Sequence, residues 1–256
     1  MQHHNTEIVV IGAGIAGIAC AYYLTTQAGY RNVVLVDSLQ PMAFTSAQSG
    51  ENYRNWWPHP TMVAFTNHST TLMEQIARDS DNRLQMNRRG YALATREENI
   101  DQLIEEIHNG YADDAEAMIR VHSNNSGHYS PPLSADWQTA PDGVDILRDP
   151  LLIQRSFPTY CKDISSVLHI RRAGDISGQQ LGQYMLEAIR ANGGKLICAE
   201  VMDIDHRSHF QLALDNGDQI HAERLVNAAG PFADRIADML GVTLPIENVL
   251  QQKIAF

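Results

Sequence analysis

The stretch that most constrains this chain lies near its start, where the apolar run Glu7-Ile8-Val9-Val10-Ile11 enters Gly12-Ala13-Gly14-Ile15-Ala16-Gly17 and an alanine-rich segment leaves it. A second apolar run, Val33-Val34-Leu35-Val36, ends in Asp37, 20 residues after the third glycine. Strand, glycine turn, helix, strand and terminal acid in this order predict a parallel βαβ unit that holds a dinucleotide. Gly12 allows the tight turn, Gly14 lets the main chain approach a pyrophosphate, and Gly17 lets the helix close on the strand. The first helical residues, Ile15 and Ala16, have N–H groups without intrahelical partners, and these are offered to the phosphates. Asp37 then accepts hydrogen bonds from a ribose. A tightly packed βαβ unit that binds nothing would also place small residues here.

Composition narrows the class. With 256 residues, 44% hydrophobic and 19% charged, the chain can bury an ordinary core as one large domain or two interleaved smaller ones. Asp and Glu number 30 against 19 Lys and Arg, a net charge of -11, and no basic run is long enough to follow a phosphate backbone, so nucleic acid is excluded as the expected partner. Cys20, Cys161 and Cys198 are odd in number and far apart, which fits neither a disulfide framework nor a metal cluster, and a reducing, cytoplasmic compartment is expected. The histidines show no ligand spacing, and no metal is expected. The apolar run from Ile8 to Leu24 has no basic leader and contains the glycine fingerprint, so it reads as βα rather than as a membrane span, and no other stretch could cross a bilayer.

Beyond Asp37, Ser38 to Arg54 is rich in hydroxyls and amides without periodicity, a binding loop or a plain surface loop. Met62, Phe65, Leu72, Met73 and Ile76 recur at helical spacing and predict a helix over 61–78 that buries them. Arg88 to Thr95 reads as a strand, whose Arg88-Arg89 pair is either an anion site or simply solvated. Thr95-x-x-Glu98 is a capping box before a helix with Ile100, Leu103, Ile104 and Ile107 on one face, ended by Asn109-Gly110. The segment from His122 to Asp149 is rich in Ser, Asn, Pro, Gly and Asp, and reads as an excursion over the surface. Val167 to Arg171 is a strand, and Ser177-x-x-Gln180 opens a helix that stops at Asn192-Gly193-Gly194. Lys195 to Val201 reads as one strand, and Asp215-Asn216-Gly217 joins His209–Leu214 to Gln219–Ala222 as a hairpin in a β-meander. Leu225 to Gly230 is a strand ending in small residues, with Pro231 opening a helix over 232–240 closed by Gly241. The small residues of this second turn admit a ligand or allow packing on the first βαβ unit.

The order of these motifs resembles the D-amino-acid oxidase, glycine oxidase and sarcosine oxidase family of flavoproteins over nearly the whole chain. The resemblance rests on the glycine fingerprint with Asp37, on Thr45-Ser46-Ala47-Gln48-Ser49-Gly50, on Ala173-Gly174-Asp175-Ile176, and on Leu225-Val226-Asn227-Ala228-Ala229-Gly230-Pro231-Phe232-Ala233. It implies an α/β, Rossmann-type FAD-binding domain with a β-meander, interleaved with part of an α+β substrate domain. By the same resemblance, residues 1–80 and 175–243 form the FAD-binding domain, and 81–174 with 244–256 the partial substrate domain. The implied cofactor is FAD. Gly12, Gly14, Ile15, Ala16 and Gly17 would hold its pyrophosphate and Asp37 its ribose, where the family more often has Glu. Thr45 and Ser46 would lie near the phosphates and ribityl chain, Ser49 and Gly50 near the flavin ring, the Val201 backbone at the adenine, and Gly230 against the cofactor. Arg54 falls near a basic residue that sarcosine-oxidase-like members place by the flavin and the substrate carboxylate.

The implied chemistry is oxidation of the C–N bond of a small amine or amino acid, with hydride passing to the flavin and the imine then hydrolysed. No general base is assigned. Family members continue past the point where this sequence stops, in mid-strand by its pattern at Gln251 to Phe256. The expectation is therefore a site completed by further sequence or by a partner chain. Two alternatives stand beside it: a non-catalytic or half-site subunit of a heteromeric dehydrogenase, and an NAD-dependent dehydrogenase resting on the fingerprint alone.

Overall fold

The computed structural model describes residues 2–123, 129–131, 137–250 and 252. In chain order the elements are β1 (His3–Ile11), α1 (Ile15–Thr26), β2 (Val33–Asp37), β3 (Asn52–Arg54), α2 (Pro60–Asp79), β4 (Tyr91–Thr95), α3 (Asp101–Tyr111), α4 (Ala115–Met118), β5 (Ile119–His122) and β6 (Val144–Leu147). They continue with α5 (Pro150–Ser156), β7 (Ser166–Ile170), β8 (Ala173–Asp175), α6 (Gly178–Ala191), β9 (Lys195–Cys198), β10 (Val201–His206), β11 (Phe210–Leu214), β12 (Gln219–Asn227) and α7 (Ala233–Asp238). Contacts divide the chain into two compact units, one of residues 1–50 with 178–256 and one of residues 51–177.

In the first unit, among the described residues, six strands form a sheet in the order β10-β11-β12-β1-β2-β9. β1 runs parallel to both β2 and β12, with Ile11 opposite Val36 and Asn227, and β2 runs parallel to β9. The inner strands read as near-continuous apolar runs because both faces are covered. Val9, Ile11, Val34 and Val36 pack with Ile204, Leu212, Ile220 and Ile236 on one side. Residues alternating with these, Ile8, Val10 and Leu35, are also buried, on the side where α1 and α6 pack together. β10, β11 and β12 form the expected antiparallel meander.

Lys195 to Val201 is not one strand. It leaves β2 at Ala199, whose N–H donates to the Asp37 carbonyl, and Glu200 exchanges hydrogen bonds with Asp215 before β10 joins the opposite edge of the sheet. β12 is one continuous strand, where two were expected. The helix expected over 232–240 forms as a 3₁₀ turn, Gly230–Phe232, followed by the shorter α7.

The second unit holds a four-stranded sheet, β4-β7-β6-β5, and a two-stranded ribbon of β3 and β8 among its described residues. Ile100, Ile107, Tyr111 and Trp56 pack on the sheet residues Val144, Ile146, Leu168 and Ile170. Three expectations need correction here. The segment from His122 to Asp149 is no simple surface excursion, since β6 within it is wholly buried between β7 and β5; residues 124–128 and 132–136 of that segment lie outside the described residues. α2 forms over the expected span and buries Ile76 as expected, with Leu72 and Met73 half-buried, but Met62 and Phe65 of its first half are 38% and 65% exposed, while Thr70, Glu74 and Ala77 are buried. α3 starts at Asp101 without the Thr95–Glu98 box; the Asn99 side chain accepts from the Asp101 N–H, and Thr95 Oγ1 accepts from Glu97. The strand expected at the end of the chain falls almost entirely outside the described residues.

Candidate functional site

The parallel pairing of β1 with β12 sets two strand-to-helix turns side by side, and this contact explains two of the three fingerprint glycines. Gly12 has φ +108°, and a Cβ added to it would lie 2.2 Å from the Ala228 carbonyl oxygen. A Cβ on Gly17 would lie 1.9 Å from the Gly12 oxygen and 3.3 Å from the Ala228 Cβ. Packing alone therefore requires glycine at both positions. Gly14 differs. Its backbone is extended (φ −71°, ψ 177°), open to any residue, and an added Cβ would meet only Ser46 Oγ, at 3.1 Å. Ile15 and Ala16 beside it are exposed.

The segment after β2 is pinned over this turn rather than loose. The Met42 N–H donates to the Ala13 carbonyl at 2.9 Å, and buried Met42, at φ +61°, seats against Gly182 of α6, where a Cβ would come within 2.6 Å of its Cγ. The following 3₁₀ turn, Phe44–Gln48, brings the Ser46 hydroxyl onto the helix start, where it accepts from the Ile15 N–H at 3.0 Å. Thr45, Ser49 and Gly50 of this segment are exposed.

Asp37 turns its carboxylate back to the glycine loop, with Oδ2 accepting from the Ala13 N–H at 2.6 Å and Oδ1 from the Leu39 N–H at 2.8 Å. One lone pair on each oxygen stays available for hydroxyl donors. In the second turn, Asn227 braces the backbone by accepting from Ala229 N–H and donating to the Ala233 carbonyl, and the Ala228 N–H donates to Ile11. Gly230 follows at φ +56° with nothing within 4 Å of an added Cβ. Val201 is buried at the start of β10, with a bulge between it and Asp203. Gly14, Ile15, Ser46 and Asp37 thus come together at the start of α1, where Ser46 Oγ takes the Ile15 N–H and keeps its own O–H to donate, and this donor and acceptor set suits a pyrophosphate and a ribose.

Arg54 lies in a cleft of about 330 Å³ within the second unit. Its guanidinium carbon is 4.5 Å from the Trp57 ring centroid and 4.7 Å from that of Tyr91, and among the described residues it has no carboxylate partner. Rings against the guanidinium leave its in-plane N–H donors for a ligand oxygen. Tyr91 carried no signal as a lining residue, since its partner lies far away in sequence on another strand. Arg88 is neither an open anion site nor solvated: its buried side chain donates to Glu74 and to the carbonyls of Trp137, Ala140 and Pro141.

A buried polar cluster in the same unit had no local signal either. Asp145 of β6 accepts from Arg120 and His122, with Arg171 3.4 Å away. Burial alone would raise its pKa, but these hydrogen bonds and charges outweigh burial and hold the carboxyl below its ordinary value. His169 donates from Nε2 to the Arg89 carbonyl and accepts at Nδ1 from Arg171 and Tyr129. Burial, together with the Arg171 charge, pushes its pKa down to about 4, so the ring is neutral.

Many solved structures share this fold. L-proline dehydrogenase from P. horikoshii superposes with a TM-score of 0.73 at 16% identity, covering 93% of this chain and 56% of that one. Glycine oxidase from Geobacillus kaustophilus gives 0.71 at 17% identity, covering 94% and 60%, and L-amino acid deaminase from Proteus vulgaris gives 0.73 at 15%, covering 94% and 51%. At such identities the likeness shows the fold, and the chain spans between 51% and 60% of the length of these proteins. No curated protein sequence matches. The family model for DAO, FAD dependent oxidoreductase, matches residues 7–256. That match takes in both turns of the cradle and removes the nicotinamide alternative. The chain belongs to the DAO family of FAD-dependent oxidoreductases.

Proposed function

We propose that the first unit holds the adenosine and pyrophosphate of FAD, and that the whole protein oxidises the C–N bond of a small amine or amino acid. The observation that carries this reading is Gly14, the one fingerprint glycine whose lack of a side chain internal packing does not demand. Its open backbone would lie against the pyrophosphate, with the Ala16 N–H and the hydroxyls of Thr45 and Ser46 as further donors, and with the Ile15 N–H shared between Ser46 Oγ and the phosphate. Asp37 would take the ribose on its remaining lone pairs, the Val201 backbone the adenine, and Gly230 would face the cofactor. Ser49 and Gly50 would lie towards the flavin ring. Arg54, free of any carboxylate among the described residues, would bind the substrate carboxylate.

FAD, when bound, supplies the two-electron acceptor. The protein's part is to bind the carboxylate, orient the carbon bearing nitrogen and exclude water. Because the chain spans 56% and 60% of the proline dehydrogenase and glycine oxidase chains, the activity is proposed for a polypeptide or assembly that also has a counterpart of their remaining length. A reducing, cytoplasmic home belongs to the same proposal, supported by three unpaired cysteines. No helix among the described residues is long and apolar enough to cross a membrane.

The test is the visible spectrum of the purified protein, followed by anaerobic addition of amino acids. Retained flavin that bleaches with an amino acid supports the reading. Wild-type protein that neither retains nor rebinds FAD overturns it.

A further inference from the structure

We propose that the Arg54 cleft selects substrates with one carboxylate and an uncharged apolar body, such as amino or imino acids with hydrocarbon side chains, over dicarboxylic and basic ones. This rests on the reading of Arg54 as the carboxylate site. Arg54 is the only charged residue that lines the cleft among the described residues. A substrate with a second carboxylate would find no second cation there, and a cationic side chain would find no acid and would meet the guanidinium instead.

The rest of the lining is more apolar than its composition suggests. Thr66 donates its hydroxyl to the Met62 carbonyl at 2.8 Å, Thr70 to the Thr66 carbonyl at 2.8 Å, and Tyr53 to the Asn87 carbonyl at 2.6 Å. These three donors are committed to the backbone, so their methyl and ring surfaces join Trp57, Phe65, Met73 and the Tyr91 ring, while Asn52, Ser69 and the Tyr91 hydroxyl are the uncharged polar groups that remain in the lining. Phe65, 65% exposed, and Trp57, 38% exposed, sit where an apolar body would cover them. At about 330 Å³ the space is at the lower end of ligand pockets, of the order of 300–1,000 Å³, and larger than glycine needs.

The experiment titrates the full chain with FAD present against three non-oxidisable or poorly oxidisable probes, 3-phenylpropionate, succinate and 2-phenylethylamine, by calorimetry. The expected result is that 3-phenylpropionate binds at least tenfold more tightly than either of the others. Arg54→Met should weaken it at least tenfold with the flavin spectrum unchanged. Phe65→Lys, at an exposed position that tolerates charge, should narrow or invert the preference in favour of succinate. Equal binding of the three probes to flavin-loaded protein, or no loss in Arg54→Met, overturns the selectivity while leaving the oxidoreductase reading intact. Failure of the wild type to hold FAD would overturn that reading whatever the probes do.

Discussion

Gly12 and Gly14 share a residue type but not surroundings, so an added side chain should act on folding at the first and on cofactor binding at the second. Gly12→Ala adds a Cβ 2.2 Å from a backbone oxygen at φ +108°, and should cost about 3 kcal/mol or more, seen as a fall in urea midpoint. Gly14→Val suits its backbone angles, and its Cβ would meet only the Ser46 hydroxyl, so folding should change by about 1 kcal/mol while FAD retention is lost. Flavin retained in a folded Gly14→Val variant would remove Gly14 from the cofactor site. His169 gives a prediction in pH. Its folded pKa of about 4 lies below the ordinary 6.5, so between these values the unfolded chain carries the extra proton. The stabilisation is complete above pH 6.5 and is lost as pH falls towards 4, by roughly 3 kcal/mol in all. Asp145, held below its ordinary 3.8, acts only at lower pH and leaves that window clear. Urea unfolding at about pH 7.5, 6 and 5 should show the decline, and His169→Gln should flatten it.

At the scale of elements, β6 shows what a sequence hides. Four residues, Val144 to Leu147, are all buried, and the charge among them survives because its partners come from other elements: Arg120 and His122 from β5 and Arg171 from just beyond β7. Asp145→Ala should therefore cost about 3 kcal/mol, chiefly by leaving the buried Arg171 guanidinium without its carboxylate while the half-exposed Arg120 turns to solvent, measured from the shift in urea midpoint with m unchanged. A loss below about 1 kcal/mol would mean that the cluster is solvated in solution. No periodicity marks a four-residue strand with an Asp inside it that follows a Ser- and Asn-rich run. The same limit hid β3 and β8, three residues each and far apart in sequence, and the break at Ala199–Glu200, which is set by the Asp215 hydrogen bonds rather than by a turn residue. By contrast β1-α1-β2, α6 with its Asn192-Gly193-Gly194 stop, and the Asp215-Asn216-Gly217 hairpin were legible, because their signals are local and bounded by glycine. The site divides in the same way. Gly12 to Gly17 with Asp37 could be read directly because one βαβ unit holds them all, whereas Arg54 came only from resemblance, and Tyr91 and Phe65 join it only through the fold.

For the whole molecule, the chain path makes the second unit a single insertion in the first. Residues 51–177 leave and return by neighbouring strands: Asn52 pairs with Asp175 in β3 and β8, and the Ile176 N–H donates to the Glu51 carbonyl at 3.0 Å. Antiparallel neighbours have Cα atoms about 5 Å apart, so a few residues can replace the insertion without stretching the chain. The residues proposed for the adenosine and pyrophosphate all lie outside the insertion, and every residue lining the Arg54 cleft lies inside it. The two binding functions should therefore separate. A chain with 51–177 replaced by a short Gly-Ser linker should fold and gain thermal stability from FAD, by about 2.7 kcal/mol at a concentration one hundred times Kd. The excised segment 51–177 should gain stability from 3-phenylpropionate and none from FAD. Thermal melts of both pieces with each ligand decide the matter. FAD stabilising the excised segment, or failing to stabilise the folded remainder, would show that the cofactor is not held by the cradle around Gly14.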